Sequence, residues 1–105
     1  MHIARGFAQR AQLDEAINAI RQTLGPEVVS LGYTLDKDWS GDSAIFFRIV
    51  LSDQASRRDQ LLEVADRIEH AIVQYLQPLE RWDVLPYFNY RSESEQAVLH
   101  EKTWA

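Results

Sequence analysis

The spacing of apolar residues changes repeatedly along this chain, and each change predicts a new element. Leu13, Ala16, Ile17, Ile20 and Leu24 recur at helical intervals in one narrow stripe, which predicts a first helix from Ala8 to Leu24. Gly25 followed by Pro26 stops it, because glycine accepts a left-handed cap and proline cannot continue a helix. Val29, Leu31, Tyr33 and Leu35 then alternate with Val28, Ser30, Gly32, Thr34 and Asp36, the period of a strand with one apolar face. A short helix opening at Pro26 and ending at Gly32 is the competing reading of this stretch. The polar run from Asp36 to Ser43 is rich in residues that hydrogen-bond locally or accept unusual backbone angles, and predicts a hairpin loop. Beyond it, Ala44 to Asp53 is apolar on both alternating faces, as expected of a central strand.

Helical spacing returns at Leu61, Val64, Ala65, Ile68, Ile72, Tyr75 and Leu76, with Ser56 as a candidate cap and Gln77-Pro78 as a stop. On this second helix His70 falls opposite Leu61, on the solvated side, where Asp66 can pair with it and Glu63 with Arg67. A third strand follows from Val84 to Arg91, and Pro86 within it argues for an edge position, since proline donates nothing to a ladder. Ser92-Glu93-Ser94-Glu95 has the spacing of a capping box and predicts a short terminal helix from Glu93 to about His100.

These elements assemble into one α+β domain over residues 1–105: a three-stranded mixed sheet with two helices on one face, in the order α-β-β-α-β plus a short C-terminal helix. The first two strands form an antiparallel hairpin, and the second helix is a right-handed crossover that brings the third strand parallel to the central one. Leu61, Ile68 and Ile72 are then expected to pack on Ile45, Phe47 and Ile49. The reverse side of the sheet would carry Phe46, Arg48 and Val50 beside Leu85, Tyr87, Asn89 and Arg91. Either that face stays open, with the aromatic and arginine content of an interface, or the terminal helix folds over it and Arg48 pairs with an acid. Trp39, a large aromatic in a polar hairpin tip, is either folded back on the core or presented to a partner.

Composition narrows the chemistry. With 46% apolar residues in 105, the chain can bury a core without disulfides or a structural metal, and its lack of cysteine removes thiol catalysis and thiolate-ligated metals. A formal charge of −5 disfavours a broad phosphate-binding surface, so nucleic acid is the less favoured partner. No run approaches the ~20 apolar residues that span a bilayer, and the start lacks the apolar core of a signal peptide; the chain reads as cytoplasmic. Asp36, Asp38, Asp42 and Asp53 are oxygen donors of the kind hard cations use, yet they lack EF-hand spacing and are equally the residues that turns use. His2, His70 and His100 show no ligand spacing, and neither a nucleophile elbow nor a phosphate-cradling glycine loop is present. No metal, no cofactor and no enzymatic activity are therefore expected.

The segments Asp38 to Arg48 and Pro86 to Gln96 together resemble paired blocks of small uncharacterised bacterial proteins encoded in two-gene cassettes of the toxin–antitoxin kind. That resemblance implies a protein partner. The element order is also similar to that of the amino-terminal domain of ribosome maturation factors, a likeness of topology that does not fix function. The expectation is a small interaction module that binds itself as a dimer, or the product of a neighbouring gene, through Phe46, Arg48, Tyr87, Arg91 and Trp39; the alternative is a nucleic-acid-binding adaptor using the same face.

Overall fold

The computed structural model of the chain describes residues 3–99 and Trp104. Its elements are α1 (Arg5–Ala8), α2 (Arg10–Arg21), β1 (Val28–Lys37), β2 (Ser43–Leu51), α3 (Leu61–Leu76), α4 (Pro78–Trp82), β3 (Leu85–Ser92) and α5 (Glu93–Leu99). The sheet order is β1-β2-β3, with β2 antiparallel to β1 and parallel to β3. This is the expected α+β architecture with a mixed sheet, and β1 replaces the short helix that Pro26 could have opened.

One side of the sheet is the core. Ile45, Phe47, Ile49 and Leu51 of β2 are fully buried in one cluster with Leu13, Ile17 and Ile20 of α2 and Val64, Ile68, Ile72 and Leu76 of α3. Phe88 and Tyr90 of the edge strand β3 pack against it half-buried. Because β2 is paired on both sides and covered by two helices, its sequence must be apolar almost throughout.

Several boundaries and phases differ from the expectation. The first helix is broken at Gln9 and ends at Arg21, where Thr23 turns back onto the Ile20 carbonyl; Gly25 then takes φ +87°, the left-handed conformation glycine was expected to supply. The register of β1 slips between Val28 and Ser30, so a bulge carries the chain past Val29. Val29 is therefore 51% exposed, and Val28 takes the place on the core that alternation had assigned to its neighbour.

On α3, Leu61 and Tyr75 are not core residues: they are 37% and 53% exposed, while Val64 and Leu76 complete the buried stripe. At 100° per residue both fall within the arc of the buried residues, so their exposure comes from their places in the first and last turns of α3 and not from the helical phase. Ser56 does not cap α3, whose N-cap is Gln60 without a side-chain hydrogen bond. Arg67 pairs with Glu27 at 3.0 Å and donates to the Leu24 carbonyl, tying α3 to the α2–β1 turn where a pairing with Glu63 had been expected. His70 is exposed, as expected.

Gln77 ends α3 in a left-handed conformation, and Pro78 then opens α4 at the position where its missing N–H is harmless. Asp83, also left-handed, ends α4 and is held by Arg5, whose Nε and Nη2 donate to its carboxylate at 3.1 Å each while Nη2 also reaches the Glu80 carbonyl. The amino-terminal turn is thus fastened to the start of β3. At the other end, the capping box of α5 is complete: Glu95 N–H donates to Ser92 Oγ, and Ser92 N–H to Glu95 Oε1, each at 3.1 Å.

Candidate partner-binding face

The register of the sheet fixes what its other side displays. Phe46 of β2 lies between Thr34 and Tyr87, Arg48 between Gly32 and Asn89, and Val50 between Ser30 and Arg91. Phe46, Arg48, Tyr87 and Arg91 are therefore brought to one face, opposite the two long helices. Phe46 and Tyr87 stack with centroids 5.1 Å apart and planes 15° from parallel, as cross-strand aromatic neighbours do. Trp39 comes from the hairpin tip to meet the far edge of Tyr87 at 5.5 Å and 62°. It is 85% exposed and does not reach the core, so the ring is presented outward with Tyr87 as its support.

The tip is held by Asp38. Its Oδ1 accepts from Ser40 N–H, Ser40 Oγ and Asp42 N–H, closing the turn, and its Oδ2 accepts from the Tyr87 hydroxyl at 2.7 Å. Those bonds, that from Tyr87 foremost, keep its carboxyl at about 2, well below the ordinary 3.8, while the same bond raises the Tyr87 phenol. This role was not legible in the sequence, where Asp38 read as a turn residue or a cation ligand. Asp53 is likewise engaged, accepting from Ser94 N–H and Oγ at the start of α5. Of the four aspartates considered as cation ligands, these two serve turn and helix geometry. Among the described residues no three metal-ligating side chains gather.

Arg48 lies across β1: Nη1 donates to Thr34 Oγ1, and its guanidinium would sit 3.4 Å from a Cβ at Gly32, so glycine there leaves room for it. Burial lowers its pKa, though an arginine remains charged. Arg91 donates to Gln96 of α5 at 3.3 Å and carries the Trp104 ring 4.2 Å from its guanidinium carbon.

The two alternatives for this face are thereby divided between its ends. α5 packs on β2 and β3 at the end of the face where Val50 is 3% exposed, and Arg91 is held there. Toward the hairpin, Phe46 and Tyr87 remain half-exposed below Trp39. This arrangement can stack, pack and donate hydrogen bonds. Compared with known proteins, the chain matches no family model, no curated protein and no solved structure. No helix among the described residues is long and apolar enough to cross a membrane.

Proposed function

We propose that the chain is a protein-interaction module that docks through the hairpin half of this face onto a protein partner, either a second copy or the product of a neighbouring gene. The observation that carries the reading is the ladder Phe46, Tyr87, Trp39, with its outermost ring 85% exposed and buttressed. An exposed tryptophan on a pre-ordered support loses little freedom on binding and removes much apolar surface from water, which is why such rings anchor interfaces. Arg48, two positions along β2 from Phe46, adds a polar donor suited to a partner's carbonyls and carboxylates, while Arg91 is held at the other end of the face by Gln96 and Trp104. On the β1 side the sheet edge is partly occupied, since Arg21 Nε donates to the Leu31 carbonyl at 3.0 Å.

The same rings and guanidiniums also suit single-stranded nucleic acid, whose bases stack on aromatic platforms. The net charge of −5 weighs against it. Sedimentation of the chain alone and with candidate partners, repeated from low to high salt, separates the two: nucleic-acid affinity falls steeply with salt, whereas an apolar interface holds. A chain that stays monomeric and whose partner binding is indifferent to Trp39→Ala overturns the proposal.

A further inference from the structure

A second surface lies on the opposite side of β3, where the strand runs beside α3. Asp66, Arg67, Glu69, His70 and Val73 of the helix and Phe88 of the strand line an open groove there. Val73 is 37% exposed and Phe88 half-buried, so the floor is apolar. One wall is acidic. Arg67 is turned away to Glu27, and Glu69 is held by the Tyr90 hydroxyl, which donates to its Oε2 at 2.7 Å.

The strand edge bordering this groove is arranged for pairing. In a strand each residue points its N–H and C=O to the same side, and successive residues alternate. Two residues mark which set turns outward: Pro86 has no N–H to give β2, and Ser92 gives its N–H to Glu95 Oε1. Phe88 and Tyr90 share that phase, so their main-chain groups point away from β2, toward the groove.

We infer that the α3–β3 groove is a β-augmentation site that takes an extended peptide of a partner protein, with an apolar side chain flanked two positions away by lysine or arginine. An added strand would pair with the N–H and C=O of Phe88 and Tyr90. Its alternate side chains would face α3, the apolar one on Val73 and Phe88 and the basic one toward Asp66 and Glu69. The acidic wall selects the basic residue through charge complementarity, and the apolar floor sets its spacing. This site is separate from the aromatic face and does not depend on it.

The test uses a fluorescein-labelled threonine heptapeptide with a central valine and a lysine two positions to either side, and a twin with glutamate in place of lysine. Anisotropy with the intact chain should give at least tenfold tighter binding of the lysine peptide. Binding should slow amide exchange at Phe88 and Tyr90. Asp66→Asn together with Glu69→Gln should remove most of the preference, the Gln keeping an acceptor for Tyr90, whereas Glu15→Gln on α2 should leave it unchanged. Val73→Glu should abolish binding. Equal binding of the two peptides, no binding of either, or loss of preference in Glu15→Gln overturns the inference. So does protection that appears at Phe46 and Tyr87 instead, or a dimer of the chain alone that already protects Phe88 and Tyr90, since the occupant would then be a second copy.

Discussion

The Tyr87 hydroxyl donates to Asp38 Oδ2 at 2.7 Å, joining a turn and a strand that are 49 positions apart. One carboxylate thereby closes the hairpin and ties its tip to β3. Trp39 and Tyr87 keep their relative places because both are fastened to Asp38 or its turn.

That bond has a pH signature. Asp38 has a folded pKa of about 2 against an ordinary 3.8, so the ionised carboxylate favours the folded state above the unfolded value. This stabilisation is lost as pH falls through about 4 toward about 2. Asp38→Asn should therefore lower the thermal midpoint at neutral pH and show a shallower fall between those limits than the parent chain. Parallel curves would mean that the bond contributes nothing.

Ile68 and Leu61 should behave oppositely although both belong to the apolar stripe of α3. Ile68 is fully buried, and Ile68→Ala should cost about 2 to 5 kcal/mol in a denaturant titration. Leu61 is 37% exposed, and Leu61→Ala should stay within about 0.5 kcal/mol.

Ser92→Ala removes the acceptor for the Glu95 N–H and should destabilise the domain by about 0.5 to 2 kcal/mol. Asp53→Ala, which releases the Ser94 hydroxyl and N–H, should loosen the same helix from a different direction. Proteolysis within α5 reports both. An unchanged cleavage rate in the two variants would show that α5 does not depend on its caps.

Much of this fold is readable in the sequence, and the reasons are physical. The central strand, the parallel crossover and the capping box were legible because burial on both faces, the edge proline and the Ser-x-x-Glu spacing each leave a local trace. The Val29 bulge was not, since an extra residue in β1 is defined by its partner strand. The phase of β1 before Leu31 was lost with it. Of the candidate face, the register placed Phe46, Arg48, Tyr87 and Arg91 together as the alternation implied. The Asp38–Tyr87 bond and the groove between α3 and β3 depend on distant segments and left no periodic signal.

Binding and folding should separate at Trp39 and Arg48. Trp39→Ala removes a ring that is 85% exposed, so the thermal midpoint should hardly move while self-association or partner capture weakens at least tenfold in sedimentation experiments. Arg48→Ala should weaken binding in the same experiments, with a modest stability change from the lost bond to Thr34. If Arg48→Ala unfolds the chain, the residue is a structural strut and not a docking group.

The mixed sheet also imposes an order in time. β1 and β2 are joined directly by the short turn from Lys37 to Ser43, whereas Ala44 cannot meet Leu85 until the whole of α3 has been looped back. Closing the longer loop is the slower, entropically costlier step. In pulsed hydrogen exchange the β1–β2 amides should gain protection before those that join β2 to β3. On a ribosome the hairpin can emerge and pair while β3 is still being made, so Phe46 and Trp39 wait without Tyr87 between them, and the nascent chain displays two rings of its aromatic ladder before the strand that supplies the third exists.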